Sequence, residues 1–178
     1  DAVIVADFGH GLLARSSIEA LGHAARFLAV NTQSNSANLG YNLITKYPGA
    51  DYVCIDAPEA RLAVGDRISD LGEIARRIVE NHVMCSKIVV TQGKHGCVTY
   101  ERGGVVHTIP AFAKNVVDTV GAGDAFFAVT APLVAAGGPM HQIGFSGNVV
   151  GALKVEIVGH RRSIDKPSLI KGITGLLK

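Results

Sequence analysis

The sequence lacks tryptophan and has few aromatic residues, few cysteines and little charge. Its three cysteines, Cys54, Cys85 and Cys97, are far apart and form no C-x-x-C pair. An odd number of widely spaced cysteines predicts neither a disulfide framework nor a zinc site, so we expect buried thiols in a reducing cytoplasm. No apolar run approaches the roughly 20 residues that a membrane-spanning helix needs, so we expect no membrane association.

The charge pattern gives no indication of a polymeric partner. Lys and Arg number 17 and Asp and Glu number 15, for a net charge of +2. This charge is small and no basic run is interleaved with aromatic residues, which argues against nucleic-acid binding. No G-x-G-x-x-G follows a strand and no P-loop G-x-x-x-x-G-K occurs, so neither a Rossmann dehydrogenase nor a P-loop enzyme is expected.

Glycine and apolar residues are abundant, and their pattern predicts an α/β fold of one domain. Short β-branched runs predict strands at residues 3–6, 27–30, 51–55, 87–91, 97–101 and 105–109. The predicted helices cover residues 16–26, a segment from 58, and residues 70–82, 123–136, 140–157 and 166–177. Ser16 and Ser17 are predicted to cap the first helix. The alternation predicts a mostly parallel sheet covered on both faces, with hairpins forming an antiparallel edge.

The densest chemistry lies in residues 118–126, which read D-T-V-G-A-G-D-A-F. Gly121, Ala122 and Gly123 have little or no side chain, so their N–H groups can approach an anion at the positive end of a helix. Asp124 follows directly, and a carboxylate beside an anion hole suits a base that deprotonates a hydroxyl during phosphoryl transfer. The alternative is a glycine-rich helix start with Asp124 as an acid of the first turn.

This motif resembles the signature D-T-x-G-A-G-D-x-F of the ribokinase-like, or PfkB, carbohydrate kinases, and every fixed position matches. The resemblance implies a three-layer, Rossmann-like sheet and ATP-dependent phosphorylation of a sugar or sugar-phosphate hydroxyl, with Mg²⁺. Such kinases are usually longer and this sequence starts inside the pattern. We therefore expect residues 1–178 to be the C-terminal, nucleotide-binding portion of a kinase domain.

Further segments fit the same resemblance. Residues 91–96 match a T-x-G-x-x-G element, which implies that Thr91, Gly93 and Gly96 lie along the nucleotide. Asn148 and Gly151, in the helical C-terminal part, are implied to lie on the adenine side.

Three acids are implied to be near cations. Asp56 and Glu59 align with an N-x-x-E motif that organises Mg²⁺, although the same pair can form a capping box. Asp118 is implied to contribute to a monovalent-cation (K⁺) site, although it can equally be a turn residue that bonds its own backbone.

Residues 7–11, D-F-G-H-G, resemble D-Y-G-K-G in the heptose-phosphate kinase domain of bifunctional ADP-heptose synthesis enzymes. Asp7, Gly9 and His10 are therefore the expected sugar-side residues. Position 10 is histidine where that motif has lysine, a permanent cation, and a loop histidine without a ligand is the alternative. Residues 31–38 are rich in amides, which suit a polyol better than a phosphate.

Two other functions stay open at this stage. One is a kinase for a nucleoside or a vitamin-like alcohol, because the signature is shared across those relatives. The other is a non-catalytic nucleotide-binding module. The sequence leaves undecided whether the protein forms a homodimer and whether a nucleotidyltransferase domain is fused to it.

Overall fold

The computed structural model describes residues 1–178, and its strands form a single six-stranded sheet in chain order. The strands are β1 (Ala2–Asp7), β2 (Phe27–Thr32), β3 (Tyr52–Asp56), β4 (Lys87–Thr91), β5 (Cys97–Glu101) and β6 (His107–Ile109). Strands β1 to β4 are parallel, whereas β5 and β6 run antiparallel to their neighbours. The predicted parallel sheet with an antiparallel edge is therefore confirmed.

Helices cover both faces of this sheet. They are α1 (Arg15–Ala24), α2 (Ala57–Val64), α3 (Leu71–Arg77), α4 (Ala122–Ala135), α5 (Met140–Lys154) and α6 (Lys166–Leu176). Because side chains alternate along a strand, Val53 and Ile55 pack into one core with α1 to α3. Tyr52 and Cys54 pack into a second core with α4 and α5. Two cores separated by one sheet confirm the three-layer architecture.

Several local predictions were wrong in detail. The first helix is preceded by Ala14 without a side-chain cap, so Ser16 and Ser17 lie within its first turn and do not cap it. Helix α3 ends at Arg77 and continues as a π-helical turn, Ile78–His82. Strand β6 begins at His107, since only residues 107–109 pair with β5. The helix predicted over residues 140–157 ends at Lys154.

The three cysteines lie in the protein interior. Cys54, Cys85 and Cys97 are buried free thiols, as expected. Burial raises the pKa of both Cys85 and Cys97 to about 12, which keeps these thiols protonated. No helix combines the length and the apolar character needed to span a bilayer.

Candidate active site

The carboxyl ends of β2, β3 and β4 meet the N-terminus of α4 around a cavity of about 240 Å³. Its walls are mainly polar: Asn31, Gln33, Ser34, Cys54, Ile55, Asp56, Glu59, Thr91, Gly121, Gly123 and Asp124. In parallel α/β sheets ligands bind outside these strand ends. We call this space the phosphate cavity.

A larger cavity of about 720 Å³ adjoins it and shares Asp56, Thr91 and Gly123 with it. Its other walls come from the β4–β5 turn, residues 111–119, α4 and α5, and they are more apolar. We call it the nucleoside cavity. All five residues predicted to contact the nucleotide line it: Thr91, Gly93, Gly96, Asn148 and Gly151. A small polar compartment that opens into a larger apolar one has the shape required by a nucleoside phosphate.

Asp124 lies in the first turn of α4, and its carboxylate lines the phosphate cavity. Gln33, in the loop after β2, donates its side-chain amide to Asp124 Oδ1 at 2.7 Å. One carboxylate oxygen is therefore held by a neutral donor. This contact orients the carboxylate without adding a positive charge beside it.

The backbone at the start of α4 provides free donors. Gly121 adopts φ +74°, a conformation that favours glycine, and so turns the chain into the helix. Ala122 N–H donates to Thr119 O at 3.2 Å, whereas the N–H groups of Gly123 and Asp124 have no protein acceptor. Of the three residues predicted to form an anion hole, Gly121 and Gly123 therefore have free N–H groups and Ala122 does not, and Asp124 adds a third free N–H group. The anion hole itself stays a prediction.

The Asp56–Glu59 pair forms the capping box that was the alternative to a metal site. Asp56 Oδ1 accepts from Glu59 N–H at 2.8 Å, and Glu59 Oε2 accepts from Asp56 N–H at 3.0 Å. Glu59 Oε1 also accepts from Ser34 N–H at 2.8 Å, which ties α2 to the loop after β2. Burial raises the pKa of Glu59 to about 7, and the neighbouring Asp56 carboxylate adds to the rise.

The phosphate cavity suits a divalent cation bound together with a ligand. No three acidic, histidine or cysteine side chains are clustered closely enough to hold a metal by themselves. Mg²⁺, however, needs only one or two carboxylates besides water and phosphate oxygens. The cavity has three carboxylates, and Asn31 Oδ1 is buried in its wall with no hydrogen-bond donor. The residues present therefore fit Mg²⁺.

The wall of the nucleoside cavity depends on Asn148 and Gly96. The Asn148 side-chain amide donates to Ile109 O at 3.0 Å and to Pro110 O at 2.9 Å, so it anchors the end of β6. Gly96 has φ +94°, and an added Cβ would lie 2.0 Å from Ile109 O. Asn148 thus fixes the end of β6 in the cavity wall, and Gly96 lets the β4–β5 turn approach it closely.

Asp118 is a turn residue, and its carboxylate is fully engaged. Its Oδ1 accepts from Val120 N–H at 2.9 Å and its Oδ2 accepts from Gly159 N–H at 2.7 Å. These two bonds hold the pKa of Asp118 below its usual value, and the charge of Lys154 acts in the same direction. Lys154 Nζ itself donates to Val120 O at 2.9 Å and Gly159 O at 2.7 Å. The Lys154 ammonium thus occupies the position in front of these two carbonyl oxygens that a monovalent cation would need, so the loop does not fit one.

The predicted sugar-side residues line neither cavity. Asp7 is buried and binds Gly9 N–H, Tyr47 Oη and Lys46 Nζ. Burial alone would raise the pKa of Asp7, but the bonds from Lys46 and Tyr47 outweigh it and lower the pKa. His10 is exposed. Asp7 therefore organises its loop, and the sugar-side role of these residues stays a prediction.

The loop of residues 7–11 nevertheless lies next to the phosphate cavity. Asp7 O accepts from Gln33 N–H at 2.8 Å, and Gln33 binds Asp124 through its side chain. An added Cβ at Gly9 would lie 2.1 Å from Asn38 Nδ2, so residues 7–11 pack closely on the amide-rich loop. Asn31 and Gln33 were predicted only as members of the amide-rich residues 31–38, and Lys154 was not singled out from the sequence. The only available signal was the position of the two amides directly at the end of a predicted strand.

Known proteins resemble this chain in sequence and in fold. The bifunctional protein HldE of Desulfatibacillum aliphaticivorans is 29% identical over 161 residues, which cover 89% of this chain and 32% of that protein. Phosphofructokinase-2 from Escherichia coli, in complex with potassium, superposes with a TM-score of 0.81 at 16% identity, over 99% of this chain and 57% of the other. A Burkholderia thailandensis nucleoside kinase in complex with inosine gives 0.74 at 23% identity, over 99% and 58%.

The chain thus spans about a third of the length of the curated relatives it matches. These relatives are bifunctional proteins, as the resemblance implied, and the solved structures share the fold. Residues 8–167 match the pfkB family carbohydrate kinases, a stretch that contains both cavities' walls. With the signature, the fold and this match in agreement, the chain belongs to the pfkB family of carbohydrate kinases.

Proposed function

We propose that the protein is an ATP-dependent kinase that phosphorylates a hydroxyl of a sugar or sugar phosphate, with Asp124 as the base. The observation that carries the proposal is the Asp124 carboxylate on the phosphate cavity, beside the free N–H groups of Gly123 and Asp124. A hydroxyl held there can lose its proton to Asp124 while the N–H groups stabilise the charge on the transferred phosphoryl group.

The two cavities would bind different parts of ATP. The nucleoside part of ATP would occupy the larger cavity, between the β4–β5 turn and α5, and its phosphates would extend past Thr91 into the smaller one. Because Asp56, Glu59 and Asp124 make that cavity acidic, a cation is needed to offset repulsion of the phosphates. Glu59 and Asn31 would hold Mg²⁺, which when bound would neutralise phosphate charge.

The acceptor is expected between Asp124 and the amide-rich loop that follows β2. Gln33 would orient Asp124, and the amides of residues 33–38 would bind hydroxyl groups of the acceptor. Because the relatives are bifunctional, we also expect a second catalytic domain, a nucleotidyltransferase, in the same protein. A cytoplasmic location, where ATP is available and thiols stay reduced, completes the proposal.

The test is the Asp124→Asn variant of the protein, assayed with Mg-ATP and a panel of sugars and sugar phosphates. Asparagine keeps the oxygen that accepts from Gln33 but loses the basic carboxylate, so turnover should fall by roughly 100- to 10,000-fold. ATP affinity, measured by calorimetry, should stay nearly unchanged. Asp165→Asn is the matched control, because Asp165 caps the distant helix α6. Near-normal turnover in Asp124→Asn would remove Asp124 from the role of base.

The same panel decides among the acceptor classes. Phosphorylation of nucleosides or vitamin-like alcohols in preference to sugars would replace the sugar-kinase proposal by the nucleoside-kinase alternative. Saturable Mg-ATP binding without turnover on any acceptor would instead support the non-catalytic nucleotide-binding module.

A further inference from the structure

Lys154 is a buried lysine at the end of α5, and the proposed chemistry does not yet use it. Its exposed fraction is 6%, although burying an ammonium group is costly unless its charge and donors are satisfied. The negative end of the α5 dipole favours a cation at this position. The placement therefore requires local partners, and these partners belong to the loop of the kinase signature.

The partners of Lys154 form a closed arrangement with Asp118. Val120 and Gly159 each donate their N–H group to the Asp118 carboxylate, and each offers its carbonyl oxygen to Lys154 Nζ. Lys154 and Asp118 thus bind opposite polar groups of the same two residues. Val155 O, one residue beyond Lys154, accepts from the N–H groups of Val117 and Asp118 as well. The signature loop is fastened to the end of α5 at several points.

This arrangement lies directly behind the anion hole. A Cβ added at Gly121 would lie 3.4 Å from Lys154 Cε, so the lysine side chain passes beneath the residue that opens α4. The free N–H groups of Gly123 and Asp124 follow within three residues of Gly121. Any movement of the Val120 carbonyl would therefore be transmitted to the donors and to the Asp124 carboxylate.

We infer that Lys154 is a positioning residue whose ammonium takes the place of a monovalent metal ion at the signature loop, so that the enzyme works without K⁺. Two backbone carbonyls facing one cation, with a carboxylate next to them, form an environment that a bare cation could occupy. Here the cation is covalently attached to α5. The expected effect on turnover rests on the proposed kinase function. The replacement of the ion by Lys154 does not, because it is a property of the signature loop.

The experiment compares wild-type protein, Lys154→Met and Lys171→Met in potassium chloride and in tetramethylammonium chloride at equal ionic strength. Lys171 is exposed on α6 and provides the matched control. Turnover with Mg-ATP and the melting temperature are measured in each salt. Wild type and Lys171→Met should show the same values in both salts.

Without potassium, the turnover of Lys154→Met should be lower than that of the wild type by on the order of 100-fold. Loss of the ammonium lets the signature loop move, and a displacement of catalytic groups by about 1 Å can lower the rate by about 100-fold. Potassium, small enough to enter the vacated space, should restore most of this loss and raise the melting temperature. A clear potassium requirement in the wild type would overturn the inference. The inference would also be overturned if Lys154→Met folds and neither its melting temperature nor its turnover changes with potassium.

The two readouts separate this inference from the kinase proposal. If the wild type phosphorylates nothing in either salt, the proposed function fails, while the melting temperatures still decide whether Lys154 replaces an ion. If Lys154→Met does not fold, the melting temperatures of the wild type in the two salts decide whether Lys154 replaces an ion. Equal melting temperatures in the two salts support the replacement, and stabilisation by potassium alone contradicts it.

Discussion

At the residue scale, Glu59 combines a structural role with a proposed role in metal binding. Its two oxygens accept backbone N–H groups from Asp56 and Ser34, which is a structural role. Its position on the wall of the phosphate cavity gives it the proposed metal role as well. A pKa of about 7, caused first by burial, places its ionisation in the neutral range, where a bound cation would shift it.

Glu59 should make stability decrease as pH rises toward neutrality. Its pKa is raised above the unfolded value of 4.5, so the folded state binds more protons between about 4.5 and 7, and stability is lost across that window. Glu59→Gln cannot ionise, so the difference in unfolding free energy between pH 5 and pH 8 should shrink by on the order of 1 kcal/mol. Urea unfolding at both pH values measures it, with the exposed Glu73→Gln as control. An unchanged pH dependence in Glu59→Gln would contradict the prediction.

At the element scale, the nucleoside cavity depends on how the β4–β5 turn meets the end of β6. The two lie so close at Gly96 that an added Cβ would be 2.0 Å from Ile109 O and 2.7 Å from Ala111 N. Asn148 on α5 holds the same stretch through the carbonyls of Ile109 and Pro110. A helix and a hairpin together set the width of the cavity.

Gly96→Ala should therefore cost more than a left-handed backbone alone explains. Gly103 provides the matched control, since it has φ +73° in the next turn but no atom within 4 Å of an added Cβ. Gly103→Ala should cost about 1–2 kcal/mol from backbone strain. Gly96→Ala should exceed this cost because neighbouring backbone must move and because its ψ of −132° is itself unfavourable for alanine. Urea unfolding gives both values, and calorimetry should show weaker Mg-ATP binding for Gly96→Ala alone. Equal losses of stability would show that the close contact has no energetic effect.

At the scale of the whole molecule, the walls of the phosphate cavity come from elements on both faces of the sheet. The acids at the end of β3 lie over the core that includes α2 and α3, whereas α4 and α5 belong to the core on the opposite face. The phosphate cavity is bordered by three carboxylates and no lysine or arginine. A triphosphate should therefore bind well only together with a divalent cation.

Thermal unfolding in the presence of nucleotides tests this electrostatic expectation. Mg-ATP at 100 times its dissociation constant should stabilise the protein by about 2.7 kcal/mol, and ATP with a chelator should stabilise it much less. Adenosine is the control, because it carries no phosphate and its effect should not depend on the metal. Equal stabilisation by ATP with and without Mg²⁺ would refute a metal-dependent phosphate cavity.

Much of the fold could be predicted because its signals are local. The strands at residues 51–55 and 87–91 were clear from their β-branched runs, and the ends of α4 were placed within one residue. The prediction of a serine cap for α1 was wrong because Ser16 and Ser17 can equally lie inside a first turn. The end of α5 at Lys154 was missed because it depends on the loops that Lys154 binds.

By itself, the sequence determined the sheet, the buried thiols and the glycine-rich start of α4 with Asp124 in its first turn. These features follow from neighbours along the chain, where residue type sets backbone conformation and burial. Only the tertiary structure decided that Gln33 binds Asp124, that Tyr47 and Lys46 bind the Asp7 carboxylate, and that Lys154 meets Val120 and Gly159. Such contacts join residues far apart in sequence. They depend on strand register and helix packing, which no local pattern records.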